Sequence, residues 1–334
     1  MPRVLITGIT GFAGSHLAEH LVASGHEIHG LAREVPPFPN LAAIRGRVSI
    51  HAGDITRLED VRSALAASLP EAVVHLAGQA VPTLASADPI AAVRLNVLGI
   101  SALLTALDEL PKARLVIASS ADVYGAPERI PVAEDAPLRP ANVYAATKLA
   151  AEALTREFGA RRGAPTVILR PANQNGPRQH PGLAASAFAK QIAEAEAGLA
   201  EPVVKHGVLD ARRDFLDVRD MAAAYVLASE LAGPGATVFN VGTGQAVAVA
   251  EILDTLIGLA RIPVRAQLDP ERVRGGDPTR LALDVTRFRQ RTGWSPRISL
   301  VQSLRDTLDY WRAAIKRPAG QELGGLCPPA PGTR

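Results

Sequence analysis

The chain has 334 residues, 47% hydrophobic and 4% aromatic, with a formal net charge of +3. That length allows one large or two medium domains with a sizeable core, and the dispersed basic residues argue against a nucleic-acid surface. The one cysteine, Cys327, excludes a disulfide framework or a cysteine-based zinc site within the chain.

The first residues run straight into an apolar strand without a leader pattern. No run approaches the ~18 consecutive apolar residues of a membrane span. The expectation is therefore a cytoplasmic protein with no membrane partner. Val4-Leu5-Ile6 reads as a buried strand, followed by Thr7-Gly8-Ile9-Thr10-Gly11-Phe12-Ala13-Gly14 and a helical pattern through Leu17 and Leu21. Strand, glycine turn and helix make a pyrophosphate site. Gly8 permits the turn, Gly11 lets backbone approach the phosphates, and Gly14 lets helix and strand pack closely. The spacing resembles that of the extended short-chain dehydrogenase/reductase superfamily. His16 and His20 are four apart, either half a metal site or, with no further ligand evident, a solvated helix face.

Glu27–Leu31 is a second strand, followed by Ala32-Arg33 where NAD enzymes carry an acid for the ribose 2′-hydroxyl. The missing carboxylate and the arginine fit a 2′-phosphate, hence NADP(H), with NAD(H) as the second choice; a solvated Arg33 is the bland reading. Val48–His51 leads to Asp54, an adenine contact in the resembled superfamily or a cap for the helix through Leu58, Val61 and Leu65. Ala72–Leu76 is the fourth strand. His75 at its end reads as structural, and Leu76-Ala77-Gly78 as a small-residue turn against the cofactor. One helix is expected from Asp88 to Leu110.

Leu115–Ala118 is the fifth strand and delivers Ser119-Ser120-Ala121-Asp122. Ser120 stands where open α/β sheets place ligands, or merely caps a turn. A helix from Asn142 to about Phe158 then carries Tyr144 and Lys148 four apart on one face. Only five of the 36 basic residues are lysines, which makes a chance pairing less expected. The ammonium is expected to lower the phenol pKa, so that Tyr144 exchanges a proton during hydride transfer. Thr166–Arg170 is the sixth strand. Alternating strands and helices imply a doubly wound parallel sheet, a Rossmann α/β fold, over residues 1–170. Residues 171–214 and 261–316 are read as a smaller interleaved substrate domain. Late elements of the sheet come from about 215–260, and 317–334 form a Pro/Gly-rich tail.

The segments Phe188–Gly198, Arg213–Asp220, Asn240–Gly244, Asp269–Arg274 and Thr292–Pro296 resemble the GDP-6-deoxy-D-mannose reductases (GDP-4-keto-6-deoxy-mannose reductases). The resemblance covers residues 1 to about 315. It implies an NADP-dependent enzyme reducing the 4-keto group of a GDP-sugar, with product GDP-D-rhamnose or its C4 epimer. It implies catalytic roles for Ser120, Tyr144 and Lys148. It also implies cofactor contacts from Gly8, Thr10, Gly11, Phe12, Ala13, Gly14, Arg33, Asp54, Ile55, Leu76 and Ala77. Asn173, Arg213 and Arg274 should meet the diphosphate and Asp277 the guanosine ribose, whereas Arg219 and Arg272 read as surface ion pairs. The chain departs from the family at Arg178 (usually glycine), Gly275 (usually proline) and Asp277 (usually glutamate).

Four rivals remain at this stage. Asp122 stands where GDP-mannose 4,6-dehydratases carry a glutamate base. GDP-fucose synthases place a cysteine there. UDP-sugar 4-epimerases share the serine, tyrosine and lysine. Redox-sensing binding modules use the fold without catalysis but lack the tyrosine–lysine pair. A homodimer through the Asn142–Phe158 helix is also expected.

Overall fold

The computed structural model describes residues 1–33, 36–231, 233–273 and 280–316. The first half contains β1 (Arg3–Thr7), α1 (Phe12–Ala23), β2 (Glu27–Ala32), β3 (Val48–Ala52), α2 (Leu58–Ser68), β4 (Ala72–His75), α3 (Pro82–Ala87), α4 (Pro89–Val93), α5 (Gly99–Leu107), β5 (Arg114–Ala118), α6 (Val143–Arg162) and β6 (Thr166–Pro171). The second contains β7 (Asn173–Asn175), α7 (Ala184–Glu196), β8 (Val203–His206), β9 (Arg212–Asp217), α8 (Val218–Glu230), β10 (Ala236–Val241), β11 (Ala246–Ala248), α9 (Val249–Gly258), β12 (Arg265–Leu268), β13 (Arg280–Leu281), α10 (Thr286–Thr292) and α11 (Leu300–Ile315).

A seven-stranded parallel sheet runs in the order β10-β6-β5-β4-β1-β2-β3. The order reverses between β1 and β4, which opens a crevice at the carboxyl ends of the strands. The strands are continuous apolar runs because both faces are covered. Val4 and Ile6 pack in one core cluster and Leu5 in the other; Val116 and Leu115 divide likewise. A third cluster unites α7, α9 and α11 through Phe188, Ile252, Leu256, Leu304 and Trp311. The chain returns to the large sheet as α8 and β10, and α10 packs against β10 through Phe288. α9, within the 215–260 stretch expected to join the sheet, packs with α7 and α11.

The helix expected from Asp88 to Leu110 is more elaborate. Asp88 caps it, its carboxylate accepting from Ala91 N. A π turn at Arg94–Leu98 interrupts it, and it ends at Leu107. Among the described residues, Pro89–Leu107 is long and apolar enough to cross a membrane by length and composition alone. Here Ile100, Leu103 and Leu107 of that stretch are core residues. β9 escaped the sequence reading because Arg-Arg-Asp-Phe-Leu-Asp has no strand-like alternation; its pairing with β7, β11 and β13 makes it a strand.

Candidate active site

A cavity of about 1530 Å³ lies along the carboxyl ends of the sheet and is bounded by the second lobe. At one end is the glycine turn. Gly8 has φ +73°, and a Cβ there would stand 2.8 Å from Ala77 N. A Cβ on Gly14 would enter the carbonyl oxygen of Gly8. Only glycine fits either place, so α1 opens directly onto the cavity with its amide groups exposed to it. Thr10, Gly11, Phe12, Ala13, Ile55, Leu76 and Ala77 line the same end.

Arg33 and Asp54 flank that end as well. Burial would raise the Asp54 carboxyl, but hydrogen bonds from Thr56 N and Oγ1, both 2.9 Å, and the charge of Arg33 hold it below the usual range. Asp54 therefore organises its own turn and does not cap α2, whose cap position is Arg57. Asn40 was missed by the sequence reading; its Nδ2 donates to Thr10 O at 2.9 Å and braces the glycine turn.

His16 corrects an expectation. It is buried, with Nε2 3.0 Å from Pro177 O, so it ties α1 to the loop after β7. His20 is exposed, and the described residues contain no metal-ligating cluster. Arg178 in that loop has φ 72°, the left-handed conformation that suits the glycine expected there. Its guanidinium donates to Ser15 Oγ at 3.1 Å and Glu19 Oε1 at 2.6 Å, and these contacts stabilise an otherwise unfavourable backbone.

The centre of the cavity brings Ser120, Tyr144, Lys148 and Asp122 together. Asn142 starts α6, accepting from Ala145 N at 2.8 Å, and so fixes the register of Tyr144 and Lys148. Lys148 Nζ donates to Ala118 O at 2.9 Å and lies 5.9 Å from the centre of the Tyr144 ring. Burial lowers its pKa to about 8. Burial, and then the Asp122 carboxylate, push the Tyr144 phenol above its ordinary value, while a hydrogen bond with Ser120 opposes them. That direction is opposite to the lowering by the ammonium that the spacing suggested. A protonated phenol is the form that can donate to a developing alkoxide.

Two buried networks support this centre, and neither was read from the sequence. Asn96 on the π turn accepts from Gln79 N at 2.7 Å and donates to Thr147 Oγ1 at 2.9 Å, which locks the Gly78-Gln79 turn to α6. Arg170 at the end of β6 meets Glu152 of α6 through two hydrogen bonds of 2.9 and 2.7 Å, both side chains fully buried. Ser119, the neighbour of Ser120, donates to the same carboxylate at 2.5 Å. His75 is structural, as read: Nδ1 is 2.8 Å from Thr7 Oγ1, and burial, then Lys148, lower its pKa to about 3.

At the far end, Asn173 on β7 and Arg213 on β9 reach the cavity because those strands pair. Arg219 is held by Asp217 at 2.8 Å and Asp306 at 2.7 Å, and Arg272 by Asp269 at 3.2 Å. Arg274 and Asp277 lie outside the described residues.

A family model described as GDP-mannose 4,6 dehydratase matches residues 5–307. GDP-6-deoxy-D-mannose reductase of Pseudomonas aeruginosa is 35% identical over 322 residues, covering 94% of this chain and 98% of its own. A solved structure of RMD from Pseudomonas aeruginosa, complexed with NADPH, superposes with TM-score 0.81 at 30% identity, over 94% of this chain and all of the other. UDP-glucose 4-epimerase of Thermus thermophilus, in complex with NAD, superposes with TM-score 0.83 at 31% identity, over 93% of this chain and 99% of the other. With its glycine turn, Ser120, Tyr144 and Lys148 gathered in one cavity, the chain belongs to the GDP-mannose 4,6 dehydratase family of extended short-chain dehydrogenases/reductases.

Proposed function

We propose that this protein is an NADPH-dependent reductase of GDP-4-keto-6-deoxy-D-mannose, forming GDP-D-rhamnose or its C4 epimer. The observation that carries this reading is a buried Tyr144 beside Ser120 in a cavity that begins at a glycine turn and ends at Arg213. The residues present fit NADP(H): Gly8 and Gly14 permit the tight turn and the close packing that lay the start of α1 open at Gly11 to a pyrophosphate, and the end of β2 offers Arg33 rather than a carboxylate. Bound NADPH supplies the hydride that C4 receives. Tyr144 donates its proton to the oxygen on C4, and the Ser120 hydroxyl steadies that oxygen as charge develops. Lys148, held by Ala118 O, orients the nicotinamide ribose. Asn173 and Arg213, with Arg274, hold the diphosphate, and Asp277 the guanosine ribose; a guanidinium suits bidentate phosphate contacts. We assign the sugar nucleotide to the lobe built from 171–214 and 261–316.

One observation favours a dehydratase: Asp122 lines the cavity beside Tyr144 and has a carboxylate with which to remove a C5 proton. Separate incubations decide between the readings. A reductase oxidises NADPH with the 4-keto-6-deoxy sugar and leaves GDP-mannose and UDP-glucose untouched. Water loss from GDP-mannose, or epimerisation of UDP-glucose, would displace it. Arg33→Asp should weaken NADPH binding about 10- to 100-fold, the range of a lost charged hydrogen bond, with little change for NADH. Equal losses for both dinucleotides would remove Arg33 from 2′-phosphate recognition.

We also propose a cytoplasmic homodimer. Leu84, Ile90, Val93, Leu98 and Leu154 expose 38%, 82%, 45%, 53% and 38% of their surface. The helices α3, α4 and α6 that carry most of them pack together, so the residues form one apolar face. Ile90→Arg should yield a monomer at micromolar concentration by light scattering. An unchanged dimer mass would place the interface elsewhere.

A further inference from the structure

The cavity contains a polar pair that the mechanism above does not use. Tyr225 is on the third turn of α8 and is only 1% exposed. Its hydroxyl has no hydrogen-bond partner, and neither has Oε1 of Gln174 on β7. Both residues line the active-site cavity. The Gln174 carboxamide stands close enough to act on the phenol without meeting hydrogen-bond geometry, and Tyr225 is also an electrostatic neighbour of Tyr144. Burying an unpaired hydroxyl and an unpaired amide oxygen is unfavourable, and a pair of them facing a cavity is a site that one ligand group can complete.

The hydrogen-bond inventory limits that group. Gln174 Oε1 can only accept, and the phenol is a ready donor. The ligand must therefore present a donor and an acceptor side by side. The direction of Gln174 decides which end of the cavity is concerned. Side chains alternate along a strand. Asn175 on β7 points into the smaller lobe, where its Nδ2 donates to Ser303 Oγ at 2.7 Å. Gln174 points the other way, toward α8, which packs on α1, β4, β5 and β6. The pair thus belongs to the dinucleotide half.

We infer that Tyr225 and Gln174 form a socket for the carboxamide of the nicotinamide ring, the phenol donating to its oxygen and Gln174 Oε1 accepting from its NH2. The assignment rests on the NADP(H) reading, but not on which sugar is reduced. Tyr225 acts here as a positioning residue: the socket fixes which way the ring is turned toward Tyr144.

Binding measures this without turnover. Calorimetry on Tyr225→Phe should show NADPH bound about tenfold more weakly than by the parent protein, the effect of one lost hydrogen bond. 2′-Phospho-ADP-ribose, which lacks the nicotinamide, should bind both proteins equally. The acetylpyridine analogue of NADP lacks the NH2 donor, so Gln174→Leu should weaken NADP binding but not analogue binding. The thermal midpoint of the free Tyr225→Phe protein should not fall, because the hydroxyl removed has no partner to lose. Unchanged NADPH affinity overturns the inference, as does an equal loss for NADPH and 2′-phospho-ADP-ribose, or a lowered midpoint. Failure of the parent protein to bind either dinucleotide would instead reject the cofactor reading, and the socket with it.

Discussion

Tyr144→Phe is expected to lower turnover by about 10²- to 10⁴-fold, the range for loss of a positioned general acid. NADPH affinity should stay close to that of the parent protein. The expectation follows from what surrounds the phenol. Tyr144 is 9% exposed, so water is poorly placed to replace it as the proton donor. Burial and the nearby Asp122 carboxylate both disfavour the phenolate, so the proton is present before hydride arrives. Stopped-flow measurement of NADPH oxidation checks this. Turnover within tenfold of the parent would mean that another group, Asp122 foremost, gives the proton.

A comparably severe loss is expected in stability. Glu152→Ala should lower the unfolding free energy by about 3–5 kcal/mol, the usual result of removing one partner from a buried ion pair. Arg170 would keep its charge with 0% exposure and lose both carboxylate hydrogen bonds. Its remaining contacts are the Tyr124 hydroxyl at 2.8 Å and Glu134 O at 2.9 Å, neither of them charged. Ser119 would lose its acceptor too, so the strand end that delivers Ser120 should loosen and turnover should fall with stability. Glu152→Leu combined with Arg170→Met should recover much of the lost stability, because no buried charge is then left alone. Urea unfolding of the three proteins separates these cases. A loss below about 1 kcal/mol for Glu152→Ala, the level of an exposed pair, would mean that Arg170 does not depend on this carboxylate.

The parts of this site that were legible in the sequence lie within one element and depend on local spacing. The glycine turn is such a case: φ at Gly8 and the contact at Gly14 follow from strand, turn and helix in succession. Tyr144 and Lys148 share a helix face for the same reason. Ser120 follows from standing at the end of a parallel strand. What was not legible depends on partners far apart in the chain. Glu152 meets Arg170 only because α6 packs beside β6, and Asn96 meets Thr147 across 51 positions. His16 looked solvated because helical spacing does not say what the loop near Pro177 will cover. The upward direction of the Tyr144 shift was not legible for a related reason. Spacing gives the distance to Lys148, but the extent of burial and the position of Asp122 are tertiary facts. Arg178 shows the reverse: a residue unsuited to its backbone conformation is accommodated there through Ser15 and Glu19.

Delivery of hydride to C4 of a 4-keto sugar nucleotide can be followed by isotope. NADPH carrying deuterium at both positions of the reduced nicotinamide carbon is mixed with the protein and GDP-4-keto-6-deoxy-D-mannose, and the product is read by NMR. One deuterium should appear at C4 of a GDP-6-deoxyhexose for each NADPH oxidised, and the coupling pattern names the sugar. A product carrying ordinary hydrogen at C4, or no consumption of NADPH while GDP-mannose loses water in the presence of NADP+, would show that the protein is not this reductase.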